Sequence, residues 1–275
     1  MTSEMQANIA AFEQTLRSTI ALGEAFSPED WKRPTDCPGW SVQDVAAHLV
    51  GTELLLLGED PAAGHVMAEE PPHVRNDLGR LVEPGVDARR GRPGADVLAE
   101  LRDVLDRRLA ALGETDSEQP TVAPTGRMVP YREFMVFRAF DCYIHEHDIR
   151  RAVGRPGNLD APAAFCARTI MESGLPMIVG KRSGAGTNRT VVFEVSEPVP
   201  FTSRIRIGED GRARPDSGSG AVSVSGDVAD VTLRMDWETF MRLAAGRCAP
   251  TDVKVGIDGD ADLAGRILAN MVLTP

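Results

Sequence analysis

Ser41-Val42-Gln43-Asp44-Val45-Ala46-Ala47-His48-Leu49-Val50 decides the fold of the first half of this chain. Ser41 is a helix N-cap, and Asp44, three residues on, supplies a variant of the capping box. Val42, Val45 and Leu49, followed by the Leu54–Leu57 run, mark the apolar positions of the helix that begins there. Upstream, Thr35 to Gly39 is a breaker-rich loop, and Ser27-Pro28-Glu29-Asp30-Trp31 reads as an N-cap with proline at the first position of a short helical turn. Ile9, Phe12, Leu16, Ile20 and Ala21 recur at helical spacing and predict a first helix. Downstream, Val97, Leu98, Leu101, Val104, Leu105, Leu109 and Leu112 predict a third. Pro130 opens a fourth, with Phe134, Val136, Phe137, Phe140 and Ile144 apolar, and Gly154 and Pro156 end it behind Arg150 and Arg151. Ala161 to Ile178 predicts a fifth helix, broken by Gly174 and Pro176. Between the second and third lies Glu59–Gly94, rich in Pro, Gly and charge, which reads as a long irregular excursion with room for short helices.

The texture changes after about Gly180. Lys181 to Arg189 reads as a Gly/Ser linker or loop, and alternation of period two then predicts strands at Thr190–Val195, Thr202–Ile207, Ala221–Ser225 and Val231–Met235. Helices are expected at Trp237–Ala245 and Ala261–Met271, with a strand at Val253–Ile257 between them. The expected architecture is therefore α + (α+β): a four-helix bundle over residues 1–180 and a smaller α+β domain over 181–275.

Composition narrows the function. A net charge of -11 argues against nucleic acid and anionic membranes, because phosphate neutralisation needs a basic face. The one dense basic stretch, Arg89-Arg90-Gly91-Arg92, lies among Gly and Pro and reads as a solvated loop. The first residues carry Glu4 and Glu13 and no continuous apolar run, so no signal peptide is expected. The four cysteines, Cys37, Cys142, Cys166 and Cys248, form no CxxC pair, so a reducing, cytoplasmic home is expected.

The chemistry rests on few residues. Of five histidines, His48 lies on the apolar second helix. Taken alone, it reads more readily as a core histidine with a satisfied hydrogen bond than as a ligand. The fourth helix, however, contains Asp141-Cys142-Tyr143-Ile144-His145, a carboxylate and an imidazole one turn apart on one face. Bundle cores are where facing helices assemble metal sites, and His48, Asp141 and His145 are the set expected to converge on one divalent ion. Asp148, at i+3 from His145, is an outer acceptor or a competing ligand, and His147 points to another side of the helix. Cys37 precedes a helix N-terminus, where a thiolate is stabilised, but its place in Cys37-Pro38-Gly39-Trp40 favours a packing role.

Pro34-Thr35-Asp36-Cys37-Pro38-Gly39-Trp40 running into Ser41–Leu49 resembles the signature loop and helix of the mycothiol-dependent maleylpyruvate isomerase-like proteins, within the larger DinB-like helical-bundle group. Arg138-Ala139-Phe140-Asp141 through His145 to Asp148, then Ala152-Val153-Gly154, is similar to that family's second metal segment. The resemblance implies a divalent metal, usually zinc, on His48, Asp141 and His145, and mycothiol as thiol cofactor. The family more often has Glu at the acidic position; Asp141 is one methylene shorter, so the helices must approach by about 1.5 Å or the metal geometry must relax. Ala229–Leu233, Leu243–Arg247 and Gly256–Asp260 are similar to the sterol-carrier-like domain that many members carry behind the bundle. There Trp237 and Phe240 read as core, and Arg247 is the candidate contact for an anionic substrate or the thiol's carboxylate, although a cation at a helix C-terminus has a simpler explanation.

Three protein ligands leave a tetrahedral metal one open position, as catalytic sites do. In a thiol-dependent family that position accepts the cofactor's sulfur, and the thiolate adds to an electrophile. Addition to a maleyl-type alkene, rotation and elimination give isomerisation; addition alone gives S-transfer. The expectation is a divalent-metal-dependent enzyme acting on a small-molecule thiol and an electrophilic substrate. The alternative from another class is a non-catalytic small-molecule or lipid carrier with a structural metal.

Overall fold

The computed structural model describes residues 2–216 and 228–274. The chain divides into two compact units, Met1–Ala167 and Arg168–Pro275. The change of texture read near Gly180 lies after this division.

In the first unit, α1 (Ser3–Gly23) is capped by Thr2, whose side chain accepts from the Met5 amide, and buries Met5, Ala11, Phe12, Leu16 and Ile20. α2 (Val42–Leu56) begins at Ser41 with the capping box in place: Asp44 N–H donates to Ser41 Oγ at 3.2 Å, and Ser41 N–H to Asp44 Oδ2 at 2.8 Å. Every residue from Val42 to Gly51 is buried, so this helix is enclosed all round and its few polar side chains must find partners inside.

The Glu59–Gly94 excursion carries a helix that the sequence reading does not place, α3 (Asp77–Asp87), started by Asn76 accepting from the Gly79 amide at 2.8 Å. The basic stretch behind it is only partly the solvated loop expected: Gly91 and Arg92 are exposed, but Arg89 is not. Arg89 is 4% exposed, donates to the Pro61 and Gly85 carbonyls at 2.8 and 2.7 Å, and pairs with Glu100. A long guanidinium with five donors can close an irregular segment on itself, because each loop carbonyl removed from water needs a donor.

α4 (Gly94–Gly113) and α5 (Tyr131–Ala152) complete a four-helix bundle with α1 and α2. Between them Pro120–Val122 (β1) and Met128–Pro130 (β2) form a small antiparallel hairpin absent from the sequence reading. Pro130 sits at the N-cap of α5 and Arg150 and Arg151 in its last turn, as the sequence predicts. α6 (Pro162–Pro176) runs past Gly174 and continues as a π-helical turn, Met177–Arg182.

The second unit is built on a five-stranded sheet of order β5-β4-β3-β6-β7. Its strands are β3 (Thr190–Ser196), β4 (Phe201–Ile207), β5 (Ala213–Pro215), β6 (Val231–Asp236) and β7 (Gly256–Gly259). The pairs β3–β4, β4–β5 and β6–β7 are antiparallel, whereas β3 and β6 pair in parallel. Parallel neighbours need a long crossover, which accounts for the sequence distance between them. The expected strand Ala221–Ser225 lies outside the described residues, and the one expected at Val253–Ile257 forms at Gly256–Gly259. α7 (Trp237–Ala244) and α8 (Ala261–Ala269) follow their strands directly, capped by Asp236 and Asp260. Trp237 and Phe240 are fully buried, with Phe201 edge-on to Phe240 at 5.1 Å, so both are core. Among the described residues no helix is long and apolar enough to cross a membrane.

Candidate metal centre

The enclosed second turn of α2 presents His48 to α5, where Asp141 and His145 stand one turn apart. The three side chains converge: one potential ligand atom from each lies within 4.8 Å of the others, the one such group among the described residues. His48 Nε2 is 3.3 Å from Asp141 Oδ2, and His145 Nε2 is 3.7 Å from Asp141 Oδ1. The shorter Asp arm therefore still reaches both imidazoles, one with each oxygen. His48 and His145 are 7% and 6% exposed, and their rings pack edge to face at 4.7 Å.

The surrounding groups orient this set. Asp148, buried at 0% exposure, places Oδ2 3.1 Å from His145 Nδ1. An Nδ1–H donor there leaves the Nε2 lone pair facing Asp141 and His48, the tautomer a metal requires. Arg151 holds the other Asp148 oxygen at 2.9 Å and Asp36 at 2.8 Å, tying the signature loop to α5. His147 is buried on another side of the helix against Tyr143, where burial lowers its imidazole to about 3 and keeps it neutral.

Sequence reasoning missed the charge chain beneath the site. Arg138 Nη1 donates to Asp141 Oδ2 at 3.0 Å, and Arg138 Nη2 to Glu53 Oε1 at 2.6 Å. Glu53 also accepts from Arg108 Nε at 2.7 Å, and Arg108 Nη2 donates to the Tyr131 hydroxyl at 3.0 Å. Glu53, Arg108 and Arg138 are 0%, 2% and 5% exposed. The available signal was Glu53 itself, a charge inside the apolar run of α2 that had to be paired.

Burial works to raise the Asp141 carboxyl, but Arg138, His48 and His145 outweigh it and hold the group well below the usual carboxylate range. Burial lowers His48, and the neighbouring Asp141 opposes without reversing that. The donor set is two histidine nitrogens and one carboxylate, a chemistry that suits a zinc-type ion.

Of the other expected residues, Cys37 closes a turn, its carbonyl accepting from the Trp40 amide at 3.1 Å. Arg247 follows α7 in the second unit, with Nη1 donating to the Ala245 carbonyl at 2.8 Å.

A helical bundle with a His/Asp/His cluster between two of its helices, followed by a smaller sheet domain, is the class defined by this fold and site. The chain belongs to the mycothiol maleylpyruvate isomerase family. The model of the mycothiol maleylpyruvate isomerase N-terminal domain matches residues 12–150, and that of the MDMPI C-terminal domain residues 161–266. Two crystal structures of the mycothiol-dependent maleylpyruvate isomerase show the same fold. One, a histidine-to-alanine mutant, aligns with TM-score 0.58 at 15% identity, and the other with 0.57 at 17%; each covers 94% of this chain and 96% of its own. Comparison with curated proteins finds no match.

Proposed function

We propose that this protein is an enzyme that binds a divalent metal, zinc by donor type, through His48, Asp141 and His145, and activates mycothiol for addition to an electrophile. The observation that carries the reading is the convergence of these three side chains, with no fourth protein donor among the described residues within the cluster. A metal held there supplies a coordination position at which a thiol loses its proton near neutral pH. The rest is done by the chain. His48 is kept neutral by burial, Asp148 fixes the orientation of the His145 ring, and Arg138 anchors Asp141. Asp141 is the exposed member, its side chain 31% accessible against 9% and 8% for the histidines, so thiol and electrophile meet on its side.

Family membership supports isomerisation of a maleyl-type alkene, with S-transfer to other electrophiles as the second outcome of the same addition. Arg247 stays in this reading as the contact for an anionic group on thiol or substrate; an unchanged KM for the thiol in Arg247→Ala removes it. The test is consumption of maleylpyruvate and of a panel of epoxide, halide and alkene electrophiles. Turnover should need both mycothiol and metal. Turnover unaffected by omitting the thiol contradicts the reading, and no turnover of any electrophile with both present favours the carrier alternative.

The acidic position offers a sharper check. Asp141→Asn should weaken metal binding, since a neutral amide oxygen is the poorer donor. Asp141→Glu should bind as tightly or tighter. Asp148→Asn should lose about 10-fold, the scale of an outer partner. Dissociation constants for the three variants at one pH decide it; metal lost in Asp148→Asn but kept in Asp141→Asn would reassign the ligand.

A further inference from the structure

The proposed chemistry uses nothing from the long segment between Glu59 and Gly94, yet that segment reaches the site through one side chain. Glu83, on α3, is 1% exposed and carries three partners. Trp40 Nε1–H donates to its Oε2 at 3.0 Å, His73 Nε2 lies 3.0 Å from the same oxygen, and Arg90 Nη2 donates to Oε1 at 2.6 Å. Arg90 also holds Asp44 at 3.0 Å and Asp87 at 2.8 Å, which ties α3 to the start of α2. The turn before Trp40 is shaped to fit: Gly39 has φ +78°, and a Cβ there would stand 2.2 Å from His73 Nδ1. A side chain at position 39 would be strained and would collide with the imidazole.

All of this converges on an indole that faces the metal site. The Trp40 ring lies 4.9 Å from the His48 ring and 5.8 Å from the His145 ring, tilted 36° and 38° to them. Indole is a one-donor group on a large flat body, so a single fixed acceptor sets where its whole face lies. A carboxylate this deeply buried costs desolvation, and its bonds from Arg90, His73 and Trp40 offset that cost.

We propose that Glu83 is a positioning residue for the metal centre, acting through Trp40: it fixes the indole as a wall against both imidazoles, keeping their rings convergent and leaving the Asp141 side as the approach. The inference rests on the reading of His48, Asp141 and His145 as metal ligands. It gives the excursion a role, since α3 is the scaffold that brings the acceptor to the indole.

Cobalt(II) is the probe, titrated into the full-length wild type, Glu83→Gln, Trp40→Phe and the double variant, with cobalt absorption and tryptophan emission followed together. The wild type should bind one equivalent and lose the Trp40 part of its emission, a loss missing from Trp40→Phe, which keeps only Trp31 and Trp237. Glu83→Gln and Trp40→Phe should each weaken cobalt binding by about 10-fold, as outer partners of metal ligands do. Glu83→Gln should also shift Trp40 emission to the red, and the double variant should bind no more weakly than either single one. Additive losses, or wild-type affinity and emission in Glu83→Gln, overturn the inference. Should Glu83→Gln fail to fold, wild-type affinity in Trp40→Phe overturns it alone. A wild type that takes up no cobalt refutes the metal reading and this inference with it, whereas stoichiometric cobalt in all four proteins with equal affinity refutes only the role of Glu83.

Discussion

His48→Ala and His145→Ala should each abolish stoichiometric metal in the purified protein, while His65→Ala should leave it unchanged. A three-ligand site keeps its ion only while all three donors act together, so losing one imidazole should weaken binding by more than the 10–100-fold typical of outer partners. His65 is the matched control: it pairs with Asp87 at 2.7 Å, where both side chains are about a third exposed or less (34% and 27%), and it lies outside the convergent cluster. Each alanine removes a ring without stranding a buried carboxylate, because Asp141 keeps Arg138 at 3.0 Å and Asp148 keeps Arg151 at 2.9 Å. The variants should therefore fold, and metal analysis of the dialysed proteins reads the effect directly. Full metal in either histidine variant would refute the ligand set.

The largest effect on stability is expected beneath the site. Glu53→Ala strips two buried guanidiniums of their shared carboxylate at once, leaving Arg108 with the Tyr131 hydroxyl and Arg138 with Asp141. Removing one partner of a buried ion pair costs about 3–5 kcal/mol, because the remaining charge stays out of water without compensation. That is a large part of the ~5–15 kcal/mol by which domains are stable, so chemical denaturation should show a markedly lower midpoint or a protein already partly unfolded. A loss under about 1 kcal/mol would mean that water reaches both guanidiniums and that the chain does not act as one network. Because Arg138 bridges Glu53 and Asp141, metal affinity should fall in the same variant.

These two expectations mark what was legible in the sequence. The convergence of His48, Asp141 and His145 was readable because each part obeys a local rule: a capped helix carrying His48, and a carboxylate and imidazole at i, i+4 on another helix. The Asp148 partner at i+3 follows from the same geometry. Glu53–Arg108–Arg138 was not readable, because its members lie on three helices and their pairing depends on how those helices pack. Arg89 and Arg90 misled for a related reason. Flanked by Gly and Pro they read as solvated, but guanidiniums that meet loop carbonyls and Glu83, Asp87 and Glu100 can be enclosed. α3 escaped although Leu78, Leu81, Val82 and Val86 recur at helical spacing, because Pro84 inside it and the Pro and Gly residues around it read as breakers, and its start signal is a single Asn76. In the second unit, alternation located strands but carries no information on direction, which is why the parallel β3–β6 pair emerged only from the fold.

The central claim is that His48, Asp141 and His145 hold a metal whose open position takes the thiol. It is tested most directly by titrating mycothiol into the cobalt-loaded protein and into the metal-free protein. A thiolate-to-cobalt charge-transfer absorption should grow to one equivalent in the loaded protein, with binding at least about tenfold weaker when the metal is removed. Equal affinity in the two forms, with a cobalt spectrum indifferent to the thiol, would contradict it.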